Sequence, residues 1–163
     1  MEQDFREELD YGTSKEKLVS FLSDSANKHM VLGTSAKGRV MTRVVLIVSD
    51  GLDIYFFTWR RSRKIAQIEK NNWVSLCKDK VEIEGEASIL GPMRSKENEG
   101  VLELFREKFP GAVERWEVNP AMVFVRISPN FACIDGYFMD NDSYLEYLDL
   151  EKQESYRVKW AHY

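Results

Sequence analysis

Residues 81–89 alternate between two kinds of side chain at every position, a pattern that suits only an extended strand. The first set is small or apolar and the second is polar: Val81, Ile83, Gly85, Ala87 and Ile89 against Glu82, Glu84, Glu86 and Ser88. Successive side chains of a β-strand point to opposite faces of the sheet. The segment is therefore predicted to be a strand with one buried face and one acidic face, which requires neighbouring strands to cover it.

Other short runs rich in β-branched and aromatic residues supply those neighbours. Ala36-Lys37-Gly38 and Ser49-Asp50-Gly51 are turn signals that join the first three runs as hairpins. The predicted strands are 29–35, 40–48, 52–59, 73–79, 80–90, 121–128 and 131–138, with one more expected in the polar tail from 139 on. Gly91-Pro92 is expected to end the strand that carries the alternation.

Three helices are predicted between these strands. Thr13 and Glu16 have the spacing of a capping box, and apolar residues over 14–27 share one helical face. Ser62 is expected to cap a short helix that buries Ile65, Ala66 and Ile68 and ends near residue 71. A third helix over 95–108 is expected to end before Pro110-Gly111. Hairpins without strand–helix–strand alternation predict a mainly β fold, a β-barrel with flanking helices, and argue against a Rossmann fold.

Composition limits the class of protein. At 163 residues with 44% apolar and 31% charged side chains, we expect one domain spanning 1–163, in which 1–13 and 139–163 are extensions. The polar start and the lack of a long apolar run predict a cytoplasmic protein with no membrane segment. Cys77 and Cys133 lie in apolar runs and are predicted to be buried free thiols. Two histidines without ligand spacing predict no metal site.

Four cations lie within five positions, although the whole chain has a net charge of -4: Arg60, Arg61, Arg63 and Lys64. Such a cluster is either a solvated turn or a binding site for an anion. A nucleic acid needs cations spread along a surface, and a membrane needs a longer amphipathic helix, so neither partner is expected. A single phosphate group fits the pattern best, because arginine forks and N–H groups at a helix start bind it.

Arg43 is a further cation, in the middle of an apolar strand. A buried charge without a partner is unfavourable. Two interpretations stay open: a bound anion compensates Arg43, or the side chain pairs with a glutamate of the 81–89 strand.

Three pieces in this order resemble the pyridoxamine 5'-phosphate oxidase-like split-barrel flavoproteins, especially the general-stress-protein-like branch. They are Arg43-Val44-Val45-Leu46, Phe57-Thr58 and Ser62-Arg63-Lys64. The likeness extends over about residues 14–90 and implies a split β-barrel of the FMN-binding type.

The resemblance also implies roles for these residues. Arg43, Arg63 and Lys64 would bind the FMN phosphate, Thr58 would donate its hydroxyl, and the backbone of Val44, Val45 and Leu46 would lie against the isoalloxazine ring. Lys80 stands where the family usually offers a glutamine from the opposite subunit. The family builds its flavin sites between two subunits, so the resemblance implies a homodimer.

The chain departs from the vitamin B6 oxidases where those enzymes bind substrate. Its flavin strand ends Leu46-Ile47-Val48 without their lysine, and the tail "YRVKWAHY" lacks their Trp, Arg and His set. The tail is either solvated or part of a different pocket with Arg157, Lys159 or His162. We therefore expect an FMN-dependent oxidoreductase of unknown substrate. The alternatives are a non-catalytic flavin or stress-response protein, and a binder of deazaflavin or haem.

Overall fold

A computed structural model describes residues 5–138 and 143–160. Ten strands and four α-helices are present in this part of the chain, and short 3₁₀ turns cover residues 25–27 and 96–98. The strands are β1 Phe5–Leu9, β2 His29–Ala36, β3 Arg39–Leu46, β4 Val48–Asp50, β5 Asp53–Trp59, β6 Trp73–Lys78, β7 Val81–Pro92, β8 Met122–Tyr137, β9 Ser143–Asp149 and β10 Glu154–Trp160. The helices are α1 Tyr11–Ser23, α2 Arg63–Ile68, α3 Glu99–Lys108 and α4 Pro110–Trp116.

All strand pairs are antiparallel and belong to one curled sheet. Its order is β1-β10-β9-β8-β7-β6-β2-β3, and β5 adds β4 to the other side of β8. The alternation along β7 is confirmed. Glu82, Glu84 and Glu86 are exposed, while Val81 and Ile83 are buried. The mainly β, split-barrel architecture predicted from the sequence is therefore correct.

Two hydrophobic clusters hold the layers together. The larger fills the barrel, where side chains from seven strands and α2 meet Leu18 and Leu22 of α1. The smaller lies under α3 and α4, where Phe105 stacks on Phe124 with ring centroids 5.4 Å apart. β5 and β8 contribute side chains to both clusters and therefore lie between them.

The helix boundaries differ from the prediction at α1, where another residue is the cap, and after α3, where a further helix begins. α1 begins at Tyr11 because Asp10, not Thr13, caps it, with Asp10 Oδ1 2.8 Å from the Thr13 amide nitrogen. The helix ends at Ser23, four residues before the predicted end. Pro110 follows the end of α3, as predicted, but it also opens α4, since proline is well suited to the first turn of a helix.

The C-terminal half contains more strand than predicted. The two segments expected over 121–128 and 131–138 are one strand, β8, whose partner β7 changes register at Glu84/Gly85. β7 itself continues through Gly91 to Pro92. The tail forms β9 and β10, and the unpredicted β1 pairs with β10, so Arg157 and Lys159 belong to a sheet; His162 lies outside the described residues.

Two further expectations have a structural answer. Both cysteines are free, and Cys133 is buried as predicted, but Cys77 is exposed because its side chain is on the outer face of β6. The longest helix in the described part has 13 residues, and no helix there has the length and apolar character needed to cross a membrane.

Candidate functional site

Arg43 lies at the rim of the barrel, where β3 faces the short helix α2. Its neighbour two positions on, Val45, is buried on the same side of β3, so the strand directs Arg43 inward. The Arg43 Nη1 atom donates to the Thr34 hydroxyl and, at 3.1 Å, to the Met41 carbonyl oxygen. Nη2 donates to Gln67 Oε1 at 3.2 Å. The guanidinium is thus oriented by three neutral oxygens.

Gln67 ties this arrangement to the rest of the barrel. Its Oε1 also accepts a hydrogen bond from the Thr34 hydroxyl at 2.6 Å, and its Nε2 donates to the Arg39 carbonyl oxygen at 3.2 Å. Thr34 and Gln67 are both buried. Since a buried polar group is stable only when it is hydrogen-bonded, this network fixes the position of Arg43 without neutralising its charge.

Lys64 and Thr58 form the second half of the cluster. Ser62 caps α2 as predicted, its Oγ accepting from the Ile65 amide at 3.4 Å. The first turn of α2 then brings Lys64 Nζ to 2.9 Å from Oγ1 of the buried Thr58, the penultimate residue of β5. Thr58 Oγ1 is also 3.4 Å from Ser62 Oγ. Four predicted side chains, Arg43, Thr58, Ser62 and Lys64, therefore line the junction of β3, β5 and α2.

The positive charges of this junction are not compensated by carboxylates. Within residues 5–138 and 143–160, Arg43, Arg63 and Lys64 take part in no ion pair. Burial lowers the pKa of Lys64, and the charge of Arg43 lowers it further. Burial likewise lowers the pKa of Arg43, with a contribution from Arg63. The charged forms of Arg43 and Lys64 are thus destabilised by burial and by a neighbouring positive charge, which a bound anion would relieve, whereas Arg63 is exposed.

One of the two interpretations of Arg43 is wrong. The glutamates of β7 point to the exposed face of the sheet, and none of them contacts Arg43, whose partners are Thr34, Met41 and Gln67.

The first two cations of the basic run, Arg60 and Arg61, are exposed, unlike Lys64. Arg60 Nη2 is 2.6 Å from Glu69 Oε1 in an exposed ion pair, and Arg61 is exposed. Arg60 and Arg61 form the solvated part of the turn.

The remaining predicted residues occupy three different environments. Val44 is 64% exposed on the outer face of β3, Val45 is in the core, and Leu46 is half-buried at the strand end. The ring of Phe57 packs edge-on against Phe105, with centroids 5.2 Å apart, so its side chain belongs to the smaller core and not to the cationic junction.

Lys80 lies away from this junction within the chain. It sits in the turn between β6 and β7, and its Nζ is 3.9 Å from Asp135 Oδ1. The other oxygen of Asp135 is 3.0 Å from Lys17 Nζ, which also contacts Glu146. Lys80 thus borders a network of ion pairs that holds β8, β9 and α1 together.

Sequence reasoning missed the residues that orient Arg43. Ala66 was expected in the buried face of α2, but Ala66 is exposed and Gln67 is buried in its place. A signal was present, because Gln67 follows Lys64 by three residues and so shares its side of a helix. Nothing in the sequence pointed to Thr34, whose role depends on the pairing of β2 with β3.

Comparisons with known proteins agree with this architecture. A family model described as pyridoxamine 5'-phosphate oxidase matches residues 14–131. No curated protein matches the chain. Many solved structures share the fold, and the three that follow have sequence identities below 25%.

General Stress Protein 26 from Bacillus anthracis is 24% identical, with a TM-score of 0.60 over 83% of this chain and 98% of that one. A pyridoxamine 5'-phosphate oxidase-related, FMN binding protein from Nostoc punctiforme is 16% identical, with a TM-score of 0.59 over 93% and 96% of the two chains. The haem storage protein HutZ from Vibrio cholerae is 16% identical, with a TM-score of 0.56 over 72% and 86%. At these identities the likeness concerns the fold, and these relatives differ in the ligand that their names give.

Proposed function

The chain belongs to the pyridoxamine 5'-phosphate oxidase family, and we propose that it is an FMN-binding flavoprotein that acts as an oxidoreductase. The observation that carries this proposal is the set of cations without carboxylate partners at the junction of β3, β5 and α2. A phosphomonoester brings about -1.5 to -2 charges and three acceptor oxygens at neutral pH, which complements such a junction.

In this proposal, Arg43, Arg63 and Lys64 bind the phosphate, and Thr58 and Ser62 present hydroxyl groups beside them. Gln67 and Thr34 keep Arg43 in position, since their oxygens hold two of its nitrogens. The outer edge of β3 at Val44, Val45 and Leu46 then offers its backbone to the ring. FMN, when bound, supplies the capacity to accept and return electrons, and the chain supplies binding, orientation and the local field.

The proposal includes a homodimer with a flavin site at each end of the subunit interface. The outer face of β3, β2 and β6 exposes an apolar group of side chains: Val31, Val40, Val44, Trp73 and Cys77. A second copy of the chain would cover this face, because a monomer rarely leaves several neighbouring apolar side chains in water. Lys80 of the partner subunit would then reach the pyrimidine edge of the flavin, where a positive charge stabilises the reduced ring.

One observation favours a second candidate, a protein that binds flavin without turning over a substrate. The cluster around Arg43 contains cations, hydroxyl groups and an amide, and none of its members is a carboxylate or imidazole that exchanges protons near neutral pH. The substrate residues of the vitamin B6 oxidases are also unmatched in the sequence. A stored or sensed flavin would need only the phosphate site and the ring surface.

The absorption spectrum of the purified protein tests the proposal directly. We expect flavin bands in the wild type, and loss of about 100-fold or more in FMN affinity in the double variant Arg63→Ala, Lys64→Ala. Arg61→Ala, Lys15→Ala is the matched control, because it also removes two positive charges, from exposed positions outside the cluster, and should bind FMN normally. A colourless protein that takes up no added FMN would exclude the proposal, and a haem or deazaflavin spectrum would replace it by those ligands.

Reduction of the bound flavin separates the two candidates. An oxidoreductase should be reduced by NADH or NADPH and reoxidised by an acceptor over many cycles. A flavin-storage protein should show neither reaction, although dithionite still reduces its flavin.

A further inference from the structure

A cationic cavity adjoins the Arg43 cluster. It has a volume of about 230 Å³ and lies between the β2–β3 turn and the exposed side of α2. Its wall consists of Ala36, Lys37, Arg39, Met41, Arg63, Ala66, Gln67 and Lys70. Four of these residues are cations and none is acidic.

The backbone brings these cations together from two separate segments. Lys37 and Gly38 have φ values of 50° and 74°, so the β2–β3 hairpin turns tightly and leaves Lys37 and Arg39 on either side of Gly38. At the end of α2, the Lys70 amide donates to the Gln67 carbonyl oxygen at 3.0 Å, which keeps Lys70 next to the helix. The cavity is therefore bounded by hydrogen-bonded backbone on both sides.

The charges of this cavity are unpaired in the part of the chain that the structure describes. Lys37, Arg39, Arg63 and Lys70 form no ion pair there, whereas Arg106 and Arg157 elsewhere each contact two carboxylates. The chain has more acidic than basic residues, with 27 Asp and Glu against 23 Lys and Arg. Carboxylates were thus abundant, and their absence around this cavity is a local property of the surface.

The cavity and the Arg43 cluster share a wall. Gln67 accepts from Arg43 through Oε1 and donates from Nε2 to the carbonyl oxygen of Arg39, which lines the cavity. Met41, also in the wall, accepts from Arg43 Nη1 through its carbonyl oxygen. Arg63 lines the cavity and is close enough to Arg43 to lower its pKa. The cavity and the Arg43 cluster are therefore direct neighbours that share Gln67, Met41 and Arg63.

The combined surface carries more positive charge than one phosphate can neutralise, and the four cations of the cavity are exposed to solvent. Arg43 and Lys64 together with the four cations of the cavity supply six positive charges, and a phosphomonoester offers about two negative ones. The cavity is also smaller than the roughly 300–1,000 Å³ of a typical small-molecule site, so it suits one part of a ligand and not a whole ligand.

We propose that the cavity binds a second phosphate group, next to the phosphate held by Arg43 and Lys64. This inference rests on the proposed flavin function and specifies it further. The second phosphate is either attached to the first, as in the diphosphate of FAD, or is a free phosphate that binds beside FMN. Lys37, Arg39 and Lys70 contact the second group, while Arg63 lies between the two.

The test compares the affinities of FMN and FAD for the full-length protein by titration of flavin fluorescence. The variant is Arg39→Ala, Lys70→Ala, and the control is Arg61→Ala, Lys15→Ala, which removes the same charge from exposed positions outside the cavity. Each titration is run with and without inorganic phosphate. Circular dichroism and thermal unfolding verify that both variants fold, as expected for exposed side chains.

For an attached phosphate, FAD should bind the wild type at least about tenfold more tightly than FMN, and the cavity variant should abolish this difference. For a free phosphate, added inorganic phosphate should strengthen FMN binding to the wild type and the control, but not to the cavity variant. In both cases the variant should change FMN binding without added phosphate by less than about threefold, since the first phosphate keeps its ligands.

Three results would overturn the inference. Equal affinities for FMN and FAD, with phosphate acting only as a competitor, would mean that the cavity binds no second phosphate. An equal loss of FMN and FAD affinity in the cavity variant and in the control would assign the effect to net charge. Absence of binding by either flavin would reject the proposed function itself, and the inference with it; the first two results leave flavin binding intact.

Discussion

The side-chain oxygen of Gln67 lies 3.2 Å from Nη2 of Arg43, and the two residues are 24 positions apart in the chain. Gln67 is neutral, so it orients the guanidinium and leaves its positive charge available. A carboxylate at the same position would orient Arg43 equally well but would cancel the charge. Binding experiments can therefore test whether the neutral amide of Gln67 is needed for Arg43 to bind an anion.

Replacement of Gln67 by glutamate should separate stability from binding. In Gln67→Glu the new carboxylate pairs with Arg43, but the hydrogen bond from Nε2 to the Arg39 carbonyl oxygen is lost. Because the gain and the loss offset each other, we expect a melting temperature near that of the wild type and a loss of at least about tenfold in FMN affinity. Isothermal titration and thermal unfolding measure the two effects. Glu114→Gln, at an exposed position of α4, is a control that should alter neither. Undiminished FMN affinity in Gln67→Glu would contradict the role given to Arg43.

The pH dependence of FMN binding should reveal Lys64. Because burial and Arg43 lower its pKa, Lys64 loses its proton at a lower pH than an ordinary lysine with a pKa of 10.5. FMN affinity should therefore fall on the alkaline side before that pH, and on the acid side below about pH 6, where the phosphate takes up a proton. Lys64→Arg should remove the alkaline fall only, since arginine stays charged. An unchanged alkaline limb in that variant would show that Lys64 does not bind the phosphate.

Gly85 should not tolerate a side chain. A Cβ atom there would lie 2.5 Å from the Ser128 carbonyl oxygen, at the point where β7 and β8 change register. Gly85→Ala should therefore decrease the free energy of unfolding by about 1–3 kcal/mol in denaturant titrations. Gly100→Ala in α3 meets no atom within 4 Å and should increase it by about 0.4–1 kcal/mol. Equal effects of the two substitutions would contradict the register shift.

Glu146 should make stability depend on acid pH. Burial alone would raise its pKa, but hydrogen bonds from Arg157 and Lys17 outweigh burial and lower the pKa from 4.5. The folded state then holds the proton less tightly than the unfolded state. The contribution of Glu146 is complete above about pH 4.5 and is lost as the pH falls through the lowered value.

Glu146→Gln should consequently reduce the free energy of unfolding at pH 7 by about 1–2 kcal/mol, because Lys17 and Arg157 lose a buried partner but remain partly solvated. The difference from the wild type should shrink towards pH 3 in the same denaturant titrations. A difference independent of pH would mean that packing, and not charge, explains the loss.

The proposed dimer depends on the apolar outer face of β2 and β3. Val31→Lys places a charge opposite Val44 on that face and should raise the dissociation constant of the dimer by about tenfold or more. Val118→Lys is the matched control, because Val118 is also exposed, at 63%, but lies outside this face. Light scattering at several protein concentrations measures both. A monomeric wild type, or equal dissociation in both variants, would exclude this interface.

Local patterns were sufficient for the elements whose signals act within a few residues. The alternation in β7, the Ser62 cap of α2 and the turns at Gly38 and Gly51 are all present as predicted. The position of Arg43 in an apolar strand was enough to mark it as a charge in need of a partner. These features depend on backbone geometry over one turn or one pleat, which neighbouring residues determine.

Long-range pairing decided the rest. β1 is recognised as a strand only because β10 pairs with it, at the register Glu7–Arg157. β8 is one strand because β7 pairs with it over 123–133, while β5 pairs with its N-terminal part and β9 with its C-terminal part. Thr34 and Gln67 became the partners of Arg43 only when β2, β3 and α2 met. By itself, the sequence determined most of the strands, the helix cap and the cations; the tertiary structure decided which cations have no carboxylate partner. The physical reason is that hydrogen-bond partners and charge compensation depend on distances between segments, which the local conformation of each segment does not contain.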